Sequence, residues 1–155
     1  MKEGAGPHFR AMTEGECEAV LARNRVGRVA FQRDHRVDIV PIHYVLSNRV
    51  LCGRTARGTR LERTRDSLYD SWPVAFEVDE IEDLFQWRSV VAHGNVHAAA
   101  FGDDEWQRKA GDWEEAVRSF RTLMPTAFTE DDPTRFRDVV IRIDIVEISG
   151  REAIL

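Results

Sequence analysis

Five arginines, Arg54, Arg57, Arg60, Arg63 and Arg65, fall within twelve residues, and Glu62 is the one acid among them. The chain as a whole carries a net charge of −5, so this is a local reversal of sign. Thr55 and Thr59 add hydroxyls, and Gly58-Thr59 opens a short helical stretch expected over Thr59–Arg65. A strand ending in Arg-Thr, then a glycine, then a helix N-terminus suits an anion. Free backbone N–H groups, a hydroxyl and fixed guanidinium charges converge there. The stretch reads as the phosphate end of a cofactor site.

Other reactive residues give weaker signals. His43 is the one side chain placed to donate a proton beside a bound ligand, and a hydrogen-bonded structural histidine is an equal reading. His93 and His97 are four apart, which on a strand is about 13 Å and forms no chelate. Cys17 and Cys52 lack CxxC or Cys/His spacing, so they read as free thiols and no metal site is expected. No Ser-His-Asp, HExxH or Walker pattern is present.

The elements that position these residues are mostly strands. Val26–Gln32 and Val37–Leu46 flank a polar hairpin loop, and Ser47-Asn48-Arg49 turns the chain into Val50–Thr55. Val74–Val78, Trp87–Ala99 and Val139–Ile148 complete six strands, with Asp79–Phe85 read as an acidic connection and Gly150 as a strand end. Thr13 and Glu16 form a capping box for a helix ending near Asn24. Gly102–Leu123 reads as a second helix, with Gly111 as a break point and Trp106, Trp113, Phe120 and Met124 on its buried stripe. Met1–Arg10 reads as a loose leader. Val37–Leu46 is apolar on both faces, whereas an antiparallel strand ordinarily shows one face to water. A barrel interior on one side and a ligand or a second subunit on the other would account for that. Pro41, which cannot donate to a ladder, marks an interruption or an edge.

Four segments in order, VPIHY, LCGRTARGTRL, VAFEVD and WRSVVAHG, resemble the FMN-binding split-barrel family, which includes pyridoxamine 5'-phosphate oxidase-like and nitroimidazole-resistance-like flavoproteins. The similarity runs roughly from Thr13 to Ala153. It implies a mainly β (α+β) domain, a six-stranded antiparallel split β-barrel with peripheral helices, forming a homodimer with FMN at the subunit interface. By the same resemblance Arg54, Thr55, Thr59 and Arg60 hold the phosphate. Val40, Pro41, Ile42, His43 and Tyr44, with Trp87, Ser89 and Val90, line the isoalloxazine. Arg60 stands where many relatives have Lys, and Arg54 where a subgroup has His. The implied activity is oxidoreduction of a small-molecule substrate by hydride transfer through the flavin. A non-catalytic flavin-binding or storage module, and the same barrel carrying a deazaflavin or haem, are the competing readings.

Size and composition set the outer limits. At 155 residues, 43% hydrophobic and 32% charged, the chain suits one globular domain. No apolar run approaches the ~20 residues of a membrane span, and the N-terminus lacks a signal-peptide core, so a cytoplasmic location is expected. A pI near 5.6 argues against nucleic acid as a partner.

Overall fold

The computed structural model describes residues 6–56, 59, 61, 72–99 and 112–155. Chain order is β1 (His8–Ala11), α1 (Glu14–Arg23), β2 (Val26–Arg33), β3 (Arg36–Ser47), β4 (Val50–Thr55), β5 (Trp72–Asp83), β6 (Gln86–Ala99), α2 (Asp112–Leu123) and β7 (Val139–Ile154). All pairings are antiparallel and run β7-β4-β3-β2-β5-β6, and β6 pairs back onto β7. Six strands therefore pair in a ring, with β1 added outside it along β7. Two-residue turns at Asp34-His35 and Asn48-Arg49 join β2 to β3 and β3 to β4, all four residues at positive φ.

The ring interior is the core. Val29, Phe31, Ile42, Tyr44, Leu51, Phe76, Val78, Val90, Ile141 and Ile143 are buried there, with Tyr44 edge-on to Phe76 at 4.8 Å. Gly27 faces that packing: a Cβ there would run into the Phe76 ring, so the position needs a residue without a side chain. A second, smaller cluster lies outside the ring. Val45 and Cys52 on the outer faces of β3 and β4 pack under Phe120 and Met124 of α2 and Ala127 and Phe128 beyond it.

Three expectations change. Residues 8–11 of the leader form β1, registered His8↔Ile154 through Ala11↔Arg151. β5 does not stop at Val78 but runs on through the acidic segment, where Asp79 and Glu80 find cations. Arg28 lies 3.7 Å from Asp79, and Arg23 chelates Glu80 with both ends of its guanidinium. Asp and Glu are poor strand formers in isolation, and these pairings offset that. β7 likewise passes through Gly150. A Cβ there would sit 2.7 Å from Cys17 Sγ and 3.0 Å from Met12 Sδ, so the glycine admits α1 rather than ending the strand.

The capping box of α1 forms as expected, with Glu16 N donating to Thr13 Oγ1 at 3.2 Å and Thr13 N to Glu16 Oε2 at 2.8 Å. Tyr44 anchors this helix to the ring by donating its hydroxyl to Leu21 O. Of the second expected helix, residues 112–123 are helical; Asp103, Asp104, Trp106, Ala110 and Gly111 lie outside the described residues. Among the described residues no helix is long and apolar enough to cross a membrane.

Candidate functional site

β4 is much shorter than β3, and this difference creates the site. β3 pairs with β4 only from His43 (↔Arg54) to Ser47 (↔Val50), while its other edge pairs with β2 from Arg36 through His43. From Ile42 back towards Arg36 the β4-side edge of β3 has no strand partner among the described residues. Pro41 stands on that stretch, where a missing N–H costs least. Side chains alternate across the strand. Val40, Ile42 and Tyr44 turn inward, while Val37, Ile39, Pro41 and His43 turn outward and are exposed, Val37 at 68% and Ile39 at 66%. The outer row continues over β2, where Val26 is opposite His43, Arg28 opposite Pro41 and Ala30 opposite Ile39.

The covering layer of α2 and residues 124–138 is pinned to the end of β4, where Arg54 stands opposite His43. Its anchor is Arg54, whose side chain is 2% exposed. Arg54 Nη2 donates to Asp132 Oδ2 at 2.8 Å, Nη1 to Thr134 Oγ1 at 3.1 Å and Nε to Arg137 O at 2.9 Å. Its guanidinium stacks over Phe128 at 4.0 Å. Burial alone would raise the Asp132 carboxyl. The N–H groups of Phe128 and Thr134 and the Arg54 guanidinium outweigh that and bring it from its ordinary 3.8 down to about 2. The cation expected to meet a phosphate is therefore already neutralised within the chain.

The remaining expected residues separate into groups. Thr55, next to Arg54, points to the opposite face, and its hydroxyl lies 3.1 Å from that of Thr59. Thr59 stands in irregular backbone, and Arg60 and the rest of the expected short helix lie outside the described residues apart from buried Leu61. The side chains of Ile42, Tyr44 and Val90 are buried in the core and Val40 packs against it, so these positions present backbone rather than side chain to the exterior. Trp87 and Ser89 belong to another region. Trp87 donates its indole N–H to Leu84 O at 3.2 Å in the β5–β6 turn and sits near Phe9.

The row Pro41↔Arg28↔Glu77↔Val91 spans β3, β2, β5 and β6. Three inter-strand steps amount to about 14 Å. Arg28 pairs with Glu77 at 3.3 Å across the intervening strands. Within one chain, charge lies between the two groups of expected ring contacts.

His43 and Arg137 are what the outer face offers at the ledge. The His43 imidazole has no hydrogen-bond partner among the described residues. Burial, then Arg137, then Arg54, push its pKa below the ordinary 6.5. The unfolded chain therefore takes up this proton first, and His43 lowers stability as pH falls through 6.5. An anion bound beside it should reverse the shift. In an NMR titration the His43 resonance should have its midpoint below 6.5 in the free protein and move upward when FMN is added. A midpoint that ignores FMN would remove His43 from the site. Arg137 was not singled out in the sequence, where it is one of several arginines in a loop; only its place beside the end of β4 marks it.

The chain belongs to the pyridoxamine 5'-phosphate oxidase family, whose sequence profile matches residues 13–152. A structure of a FAD-binding protein from Mesorhizobium loti is similar over 92% of this chain and 96% of its own, with 29% identity and a TM-score of 0.66. The FAD binding protein of Mycobacterium smegmatis covers 93% and 97%, with 23% identity and a TM-score of 0.58. An uncharacterised protein of Rhizobium meliloti is 34% identical over 86 residues, 55% of this chain and 54% of that protein, so the match spans about half its length.

Proposed function

We propose that this protein is a split-barrel flavoprotein that works as a homodimer and oxidises or reduces a small molecule. One observation carries the reading: an exposed apolar strip on β3 runs straight up to the His43 imidazole, in a chain of this family. Pro41 and His43, with the backbone of Val40 to Tyr44 along the open edge, would face the flavin ring. Ser89 and Trp87 would reach it from a second copy, since in the same copy the Arg28–Glu77 pair intervenes. Two-fold pairing would cover Val37, Ile39 and Val26 and bury roughly 2,000 Å² or more in total. When bound, the flavin would supply hydride chemistry at N5, and the protein would supply position and electrostatics.

His43, neutral at pH 7 because its pKa is lowered, has one N–H to give and one lone pair to receive. It would hold a proton in transit rather than store one. FMN is the first choice of cofactor. FAD is the second reading, favoured by the Mesorhizobium loti relative being a FAD-binding protein.

The test is the absorption spectrum of the purified dimer, with mass analysis of the released nucleotide. A flavin spectrum and one flavin per chain is the expected result. A haem or deazaflavin spectrum would overturn the cofactor. Rapid mixing with NADH or NADPH, then with acceptors, should show reduction and reoxidation; a flavin that never turns over would make the protein a carrier.

A further inference from the structure

We propose that Arg137 and His43 form an oxyanion seat on the ledge beside β3, and that Arg54 serves to hold Arg137 there rather than to meet the anion itself. This inference rests on the site of the flavin reading and adds to it the charge of the group received.

The backbone of Arg137 is fixed from two sides. Arg54 Nε donates to its carbonyl at 2.9 Å, and its own N–H donates to Thr134 O at 2.8 Å. Arg54 is registered opposite His43 on the neighbouring strand, so the residue that holds the Arg137 carbonyl also stands beside His43. The Arg137 guanidinium lies 5.7 Å from the centre of the exposed Phe136 ring. No carboxylate among the described residues is paired with it: Asp132, the nearest acid in the anchor, is consumed by Arg54, Thr134 and the Phe128 N–H. The Arg137 charge reaches the imidazole: after burial it is the next cause that lowers His43. A guanidinium with no carboxylate partner among the described residues, beside a neutral imidazole N–H, is a donor set for a phosphate or a carboxylate. The covering layer thus spends one arginine on its own stability and leaves the next one for a ligand.

Two sources fit that chemistry, the phosphate of the flavin nucleotide and an acidic group on a second ligand. The probe is orthophosphate, added at constant ionic strength to flavin-free protein and followed by thermal shift and by the His43 resonance. Wild type should be stabilised, with the His43 midpoint moving upward. Arg137→Gln should weaken the response roughly tenfold or more, and Arg137→Lys should restore part of it. Equal responses in wild type and Arg137→Gln, or none in either, would overturn the seat.

Flavin arms then separate the sources. If Arg137→Gln weakens FMN but leaves riboflavin unchanged, the anion is the flavin's own phosphate and His43 stands at that end of the flavin instead of at its ring. If FMN is unaffected and orthophosphate still acts on the FMN-loaded protein, the anion belongs to a second ligand. A wild type that takes up orthophosphate and no flavin would sink the flavin reading and keep the seat.

Discussion

Asp132→Asn should lower stability by about 3–5 kcal/mol, because it leaves Arg54 buried without its counter-charge. For a chain of this size that corresponds to a fall in melting temperature of roughly 6–20 °C. The pair is enclosed, at 2% exposure for Arg54 and 0% for Asp132, so water cannot replace the lost carboxylate. Asn would keep one acceptor for the Phe128 and Thr134 N–H groups but not the charge. The layer above is already under tension: Phe128 holds φ at 61°, a costly conformation for a bulky residue, against the Arg54 guanidinium. Loosening it should also release residues 134–138 from His43, so flavin and phosphate binding should weaken with stability.

Replacing both partners by apolar residues, Arg54→Met with Asp132→Leu, should recover part of the stability, since no lone charge remains but the Phe128 and Thr134 N–H groups lose their acceptor. If Asp132→Asn costs under about 1 kcal/mol, the pair behaves as an exposed one and is not buried in solution. Acid offers a second reading of the same bond. The Asp132 carboxyl is lowered, so its contribution is complete above its ordinary 3.8 and is lost as pH falls towards about 2.

The anchor also shows where reading the sequence stopped short. A cluster rich in arginine and threonine at a strand end looks the same whether its charges face a ligand or the protein. What separates them is a carboxylate 78 residues away in sequence, Asp132 beside Pro133, which nothing local connects to Arg54. Strands with period-two alternation and the two polar turns were legible because their signals are local. The same holds for the capping box, where both partners lie within four residues.

The missed extents share another cause. β1 is four residues long and owes its existence to the free edge of β7. β5 and β7 run on because Arg23 at the end of α1 neutralises Glu80 and Arg88 across the sheet neutralises Glu152, which lies 2.9 Å from it. The double-sided apolarity of Val37–Leu46 did announce a second covering. The covering found is partial: α2 with residues 124–138 shields Val45, and among the described residues nothing shields Val37, Ile39 or Pro41.

Ile39→Asp should turn the proposed dimer into a folded monomer that no longer binds flavin. In one chain Ile39 is 66% exposed on the outer face of β3, so the substitution touches no core contact and the fold should keep its circular dichroism spectrum. In a two-fold interface the same residue appears twice, and each copy would bring an unpaired carboxylate into a patch formed with Val37, Pro41, Val26 and Ala30. Two such burials at about 2 kcal/mol each weaken association roughly a thousandfold. Light scattering and a flavin titration on the one variant separate three arrangements. A monomer without flavin supports a site built from two copies. A dimer that keeps its flavin would move the interface elsewhere, and a monomer with undiminished affinity would place the whole flavin site within one chain.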